Sequence, residues 1–206
     1  MAADPDFTEL HTDRLVIRRF RPDDVDAFAA YRSDPDVARY QSWEAFTRAQ
    51  AETFVAEMTS VQPGMPGEWF QFAVADMATD VLLGDTALFV DAGDPLRGEI
   101  GFTFSPAHQG KGYATEAVRA TIDYAFDVLG VEVVVGVTDA RNEPSIALLE
   151  RIGMRNVSSA HVQFKASGAT NSPMSCDVGS AEGAGATCAC VRPRACSRPG
   201  SLRSTS

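Results

Sequence analysis

The stretch from Glu99 to Ala120 constrains the fold more than any other part of the chain. Its beginning, Glu99 to Phe104, is short, apolar and β-prone, and Ser105-Pro106 stops it, so it predicts a strand. The glycines of Gln109-Gly110-Lys111-Gly112 allow backbone conformations and close approaches that a side chain would block. From Tyr113 onward, apolar and small residues recur at helical spacing. The residues on this stripe are Ala114, Ala117, Val118, Thr121, Ile122, Ala125, Phe126 and Leu129.

A strand, a glycine loop and a helix N-terminus together offer backbone N–H groups and a positive dipole end to phosphate. A P-loop is excluded, because Lys111 is followed by Gly112 and not by Ser or Thr. A dinucleotide fingerprint fits the two glycines but meets Thr115 where Gly or Ala belongs, and it lies mid-chain. A dinucleotide-binding loop and a tight turn without any ligand are therefore the less favoured alternatives.

The loop Gln109-Gly110-Lys111-Gly112-Tyr113-Ala114 resembles the Gln/Arg-x-x-Gly-x-Gly/Ala pyrophosphate loop of the GNAT acetyltransferases. The match runs through Gln109, Gly112 and Ala114, and Thr115-Glu116-Ala117 is typical of the branch that includes the ribosomal-protein N-terminal acetyltransferases. The resemblance extends over roughly residues 8 to 155. Its other segments are a first strand (Thr12 to Phe20), a helix-to-helix turn (Ser33 to Val37) and a last core helix (Asn142 to Ser145 with Glu150 to Met154).

The resemblance implies an acyltransferase that moves the acetyl group of acetyl-CoA directly to a primary amine, either a protein N-terminus or a small molecule. In the family, backbone N–H groups of the loop hold the pyrophosphate, and a backbone N–H of the central strand polarises the thioester carbonyl. Asn142 is a cofactor contact by the same motif, or alternatively the cap of its helix. The implied cofactor-binding residues are Phe102, Thr103, Phe104, Gln109, Gly110, Lys111, Gly112, Tyr113, Ala114 and Asn142.

Two residues are implied to be catalytic. Glu99 matches the glutamate that often opens the central strand, where it would accept the proton of the amine, although it could be an ordinary strand-edge charge. Ser145 matches the serine of an Asn-x-x-Ser variant and could serve the departing thiolate, or only form a helix N-terminal hydrogen bond. Many family members use a tyrosine for the thiolate, but Leu149 occupies that position.

A covalent acyl-cysteine route has no nucleophile in residues 1–155, because the first cysteine is Cys176. The other cysteines are Cys188, Cys190 and Cys196, and their spacing fits no common zinc pattern. Transfer without a metal is therefore expected.

The remaining pattern predicts an α+β domain over residues 1–155, with a mixed, mostly antiparallel sheet flanked by helices. The resemblance implies that this domain has the GNAT fold. Pro22 opens one helix and Thr47 to Gln50 has the form of a capping box. Trp69 to Ala75 and Val81 to Phe89 predict an antiparallel pair. Val133 to Val137 is continuously apolar, as in a strand buried on both faces.

Charge and hydropathy narrow the class of protein further. The net charge is −10, and nearly all of the 28 acidic residues lie in residues 1–155. This charge disfavours nucleic acid as a partner and suits amines, although solubility alone is the commoner reason for it. Neither a transmembrane span nor a signal peptide is recognisable, so a cytoplasmic protein without a membrane partner is expected.

Residues 156–206 depart from the family pattern. They are rich in Ser, Ala and Gly and show no helical or strand period, which predicts a disordered tail. The sheet is therefore expected to lack its last two strands, and the pattern stops near Arg155 as if the reading frame had changed. A frameshifted ending predicts low stability and impaired activity. Two alternatives remain: a degenerate GNAT domain that binds coenzyme A or a partner without turnover, and a small regulatory module.

Overall fold

Eight strands and five α-helices form the described part of the chain, residues 3–41, 43, 46–161 and 184–191 of a computed structural model. The strands are β1 (Glu9–His11), β2 (Leu15–Arg18), β3 (Trp69–Asp76), β4 (Leu82–Val90), β5 (Arg97–Phe104), β6 (Val133–Asp139), β7 (Arg155–His161) and β8 (Ala184–Val191). The helices are α1 (Val25–Arg32), α2 (Pro35–Ala38), α3 (Arg48–Glu57), α4 (Tyr113–Asp127) and α5 (Glu143–Arg151). None of the helices in these ranges is long and apolar enough to cross a membrane.

All eight strands join one sheet in the order β1-β2-β3-β4-β5-β6-β8-β7. Every neighbouring pair is antiparallel except β5 and β6, which run parallel. The chain passes from β5 to β6 through α4, the kind of crossover that a parallel pair requires. The predicted α+β class, with a mixed and mostly antiparallel sheet flanked by helices, is confirmed.

The pleat of the sheet sends alternate side chains into two helical layers. Phe70, Phe72 and Val74 of β3 belong to the core that includes α4. Ala73, between them, packs in a second core with α1 and α3. The predicted apolar face of α4 and the residues after it is buried at Ala117, Val118, Thr121, Ile122, Ala125, Phe126 and Leu129.

The end of the sheet differs from the expectation that its last two strands are missing. β7 begins at Arg155, and β8 lies between β6 and β7 and pairs antiparallel with both. Strand pairing uses backbone N–H and C=O groups, so the open edge of β6 can pair with a segment that lacks a clear apolar alternation. The rest of the predicted tail, residues 162–183 and 192–206, lies outside the described residues. Its disorder and the frameshift hypothesis stay predictions.

Candidate active site

Strands β5 and β6 separate within the sheet and leave a wedge between them. Their parallel register ends at the pair Glu99 and Val135. β5 continues to Phe104 and stays paired with β4 on its other side. Beyond Glu99, no strand in the described ranges pairs with the β6-facing edge of β5. The backbone polar groups along that edge are therefore available to a bound molecule.

The glycine loop leads from the end of β5 into α4. Gly110 has φ of 72° and Gly112, the N-cap of α4, has φ of 84°, so both occupy the left-handed region that favours glycine. No side chain caps α4. The N–H groups of its first turn, near Tyr113 and Ala114, therefore remain available for an anion at the rim of the wedge.

Two polar side chains of the loop fold back onto the protein. Gln109 Nε2 donates a hydrogen bond to the Phe104 carbonyl oxygen at 2.9 Å and ties the loop to the end of β5. Lys111 Nζ donates to the Ala107 carbonyl oxygen at 2.9 Å. Lys111 is exposed and does not line the cleft beside the loop. The side-chain ammonium group therefore binds the preceding turn, and a contact of the Lys111 backbone with the cofactor stays a prediction.

A cleft of about 1120 Å³ extends from the wedge across the loop, between α2, α4 and α5. Sites for small molecules usually enclose about 300–1,000 Å³, so this cleft has room for an extended ligand. It brings together nine of the ten predicted cofactor-binding residues and one of the two predicted catalytic residues. These are Phe102, Thr103, Phe104, Gln109, Gly110, Gly112, Tyr113, Ala114 and Asn142, together with Ser145.

A smaller cavity of about 90 Å³ adjoins the cleft at the place where β5 and β6 diverge. Its inner wall includes Trp69, Glu99, Gly101 and Thr138. The residues that line both the cleft and this cavity are Tyr40, Gln41, Phe102, Asn142 and Ser145. The two spaces are therefore neighbours that share one wall.

Glu99 is the carboxylate of the small cavity. Strand register places it on the same face of the sheet as Phe89 and Trp69, whose ring centroids are 5.4 Å apart. Burial raises the pKa of the Glu99 carboxyl from 4.5 to about 7, against the opposing effect of the Arg97 charge. A group with this pKa can both accept and release a proton near neutral pH. Among the described residues, no group of three or more His, Cys, Asp and Glu is placed to hold a metal ion.

Asn142 and Ser145 lie at the start of α5. Asn142 Oδ1 accepts a hydrogen bond from the backbone N–H of Ser145 at 3.3 Å, so the capping role considered for Asn142 is present. Both residues also border the two cavities. Ser145 therefore belongs to the wall that the cleft shares with the cavity of Glu99.

Sequence reasoning did not identify Tyr40 and Gln41, which follow α2, or the contacts of Thr12 and Arg14 with Glu116. Tyr40 and Gln41 belong to no motif in this chain. The partners of Glu116 are about a hundred positions away, and local spacing carries no signal for such pairs.

Comparisons with known proteins agree with this geometry. The family model described as "Acetyltransferase (GNAT) domain" matches residues 14–155. The protein named "Uncharacterized N-acetyltransferase p20" from Bacillus licheniformis is 31% identical over 147 residues, which cover 71% of this chain and 82% of that protein. A GNAT-family acetyltransferase from Bacillus anthracis has a TM-score of 0.72 at 26% identity, covering 89% of this chain and 98% of that one. Spermidine N-acetyltransferase from Vibrio cholerae, solved in complex with CoA and spermine, shares the fold with a TM-score of 0.68 at 16% identity, covering 88% and 97%.

The family match spans well over half of the chain and includes the wedge, the glycine loop and the capped start of α5. GNAT acetyltransferases use acetyl-CoA, and relatives of this chain carry the name N-acetyltransferase. The chain belongs to the GNAT acetyltransferase family and is an acetyl-CoA-dependent acetyltransferase.

Proposed function

We propose that the chain binds acetyl-CoA in the cleft and transfers its acetyl group directly to a primary amine at the end of an unbranched chain. One observation carries the proposal: two adjoining cavities with a shared wall extend from the uncapped start of α4, beside the unpaired edge of β5, to Glu99. Donor and acceptor meet where Phe102 and Ser145 line both cavities.

The donor lies along the loop and strand β5. Its diphosphate binds the N–H groups of the Gln109-to-Ala114 loop, where the positive end of the α4 dipole stabilises negative charge. The pantetheine arm follows the unpaired edge of β5. A backbone N–H between Phe102 and Phe104 donates to the thioester carbonyl oxygen as negative charge develops there.

Glu99 acts as the general base. An alkylammonium ion has a pKa near 10, so the amine must lose a proton before it can attack. With a pKa of about 7, Glu99 is ionised in about half of the molecules at pH 7 and can take that proton. The amine nitrogen then attacks the carbonyl carbon and a C–N bond forms. As the C–S bond breaks, the nitrogen releases its second proton to solvent, which leaves a neutral amide.

Ser145 acts as the general acid that protonates the leaving thiolate. Its hydroxyl donates a proton to the coenzyme A sulfur, directly or through a water, and solvent restores it. No cysteine precedes Cys176, so the acetyl group passes from sulfur to nitrogen without an acyl-cysteine intermediate.

The size of the small cavity supports an unbranched amine. Its volume of about 90 Å³ is less than a tenth of that of the cleft, which suits an aminoalkyl end between Tyr40 and Trp69. Gly101 lines this space, and a Cβ there would lie 3.5 Å from Ala87 Cβ and 3.8 Å from Trp69 Cζ3. A protein N-terminus, the acceptor of the ribosomal-protein branch, carries its amine on a branched carbon and is the second candidate. Binding without turnover, the alternative from the sequence, rested on missing strands, and β7 and β8 remove that reason.

The test combines titration calorimetry with a thiol-release assay. We expect acetyl-CoA to bind and coenzyme A to be released with an unbranched polyamine such as spermidine, more slowly with a peptide N-terminus, and least with an aminoglycoside. Binding without release for any amine would refute the transfer reaction. Release that is faster with the peptide than with the polyamine would refute the choice of acceptor.

A pair of glycine variants tests the donor site. Gly112→Val introduces a β-branched residue at φ of 84° and disturbs the loop, so we expect acetyl-CoA affinity to fall at least about tenfold. Gly153→Val is the matched control, because Gly153 also has positive φ, 93°, with open space around it at the end of α5. Thermal melting of both variants monitors the fold. Parent-like affinity of Gly112→Val would show that the loop does not hold the diphosphate.

A further inference from the structure

The turn between β1 and β2 contacts the first turn of α4. Thr12 Oγ1 donates a hydrogen bond to Glu116 Oε1 at 2.6 Å, and the backbone N–H of Arg14 donates to the same oxygen at 3.0 Å. Thr12 Oγ1 also accepts from the Leu15 backbone N–H at 3.0 Å, which shapes the turn. The β1–β2 turn is thus hydrogen-bonded to helix α4, which begins about a hundred residues later in the chain.

The side chain of Arg14 spans the glycine loop and the helix. Its Nε and Nη2 lie 2.8 and 2.6 Å from Glu116 Oε2, and its Nη1 donates to the Lys111 carbonyl oxygen at 3.1 Å. Its guanidinium carbon lies 4.6 Å from the centroid of the Tyr113 ring. A Cβ at Gly112 would come within 3.4 Å of Arg14 Nη2. One guanidinium group therefore packs against the loop and the first turn of α4 together.

Glu116 has a charge that opposes anion binding. A carboxylate in the first turn of a helix interacts favourably with the helix dipole. A diphosphate bound at the same helix end is also negative, so the carboxylate repels it. Burial acts to raise the pKa of Glu116, and the hydrogen bonds from Thr12 and Arg14 together bring this pKa below its usual value. The carboxylate is thus ionised at neutral pH, and Arg14 is its counterion.

We propose that Arg14 is a positioning residue for the acetyl donor: it holds the Lys111–Gly112 turn in its binding conformation and neutralises Glu116 beside the diphosphate. This inference rests on the proposed donor site and adds the β1–β2 turn to it. Arg14 acts here through the loop and through Glu116.

Calorimetry with coenzyme A and four variants tests the inference. We expect Arg14→Ala to raise the Kd about tenfold, because the loop loses its support and Glu116 loses its counterion. The double variant Arg14→Ala with Glu116→Gln should recover part of the lost affinity for coenzyme A, because the negative charge that repels the diphosphate is gone. Arg14→Lys should lie between the parent and Arg14→Ala, because an ammonium keeps the charge but not the forked geometry. Arg21→Ala is the matched control: Arg21 is half exposed like Arg14 and pairs with Asp80 away from the loop.

A second donor separates positioning from a general loss of structure. S-acetyl-pantetheine lacks the diphosphate, so we expect Arg14→Ala to raise the KM for acetyl-CoA and to leave kcat/KM with acetyl-pantetheine unchanged. Parent-like binding of coenzyme A by Arg14→Ala, or equal losses with both donors, would overturn this inference and leave the proposed function standing. A parent protein that binds no coenzyme A would overturn both.

Discussion

Replacing Glu99 with glutamine is expected to make the protein more stable and less active at pH 8. Burial raises the pKa of Glu99 from 4.5 to about 7, so the folded protein binds this proton more tightly than the unfolded chain. The stability contributed by the protonated group is therefore fully present below pH 4.5 and is lost as the pH rises through 7. At about 1.4 kcal/mol per pKa unit, ionisation of Glu99 lowers the free energy of unfolding by about 3 kcal/mol at pH 8.

Urea denaturation at pH 5 and pH 8 measures this effect. Glutamine has nearly the same shape and no charge, so Glu99→Gln should exceed the parent by about 3 kcal/mol at pH 8 and by less than about 1 kcal/mol at pH 5. Glu68→Gln is the control, because Glu68 is exposed. The free energy of unfolding of this variant should equal that of the parent protein at both pH values. A difference between Glu99→Gln and the parent that does not change with pH would refute the reasoning.

The pH dependence of activity tests the same group as a base. For the parent, kcat/KM should rise with pH and level off above about 7, where Glu99 is ionised. Glu99→Gln should lower kcat/KM by about 100- to 10,000-fold and remove that inflection. Residual activity within tenfold of the parent, with the inflection intact, would assign the base to another group.

Two further predictions concern the acceptor cavity and the core. Gly101→Ala should raise the KM for the amine severalfold with unchanged coenzyme A affinity, because its methyl group would narrow a cavity of only about 90 Å³. An unchanged acceptor KM would argue against this cavity as the amine site. Asp85→Ala should lower the free energy of unfolding by about 3–5 kcal/mol, because it leaves the buried Arg32 guanidinium without its carboxylate. Asp26→Ala, at an exposed pair with Arg48, should lower it by less than about 1 kcal/mol in the same denaturation assay, and equal losses would contradict this account.

The elements around the loop can be predicted because their signals are local. The apolar stripe of α4, the proline stop after β5 and the paired glycines each act within a few residues. The capping box of α3 is equally local: Thr47 Oγ1 accepts from the Gln50 backbone N–H at 3.2 Å, and Gln50 Oε1 accepts from that of Thr47 at 2.8 Å. The donor-site residues themselves were implied by the resemblance to the GNAT family, and nine of the ten line one cleft.

Other features depend on contacts that local patterns do not encode. Whether Lys111 Nζ contacts a ligand or the Ala107 carbonyl oxygen depends on the three-dimensional path of the loop. The pairing of Arg14 with Glu116 needs the register of β2 against the sheet and the position of α4 over it. β8 joins the sheet through backbone pairing with β6 and β7, and its small residues give no alternation to recognise.

The position of β8 between β6 and β7 has a consequence for synthesis of the protein. The chain completes β6 at Asp139, but the strand that covers its edge begins only at Ala184. At about 5–20 residues per second, translation of the intervening segment of about 45 residues takes roughly 2–9 seconds. Throughout that interval the edge of β6 is open, and β7, once it has been synthesised, has no neighbour to pair with. An open strand edge can pair with another chain, so the nascent protein is exposed to aggregation during this interval.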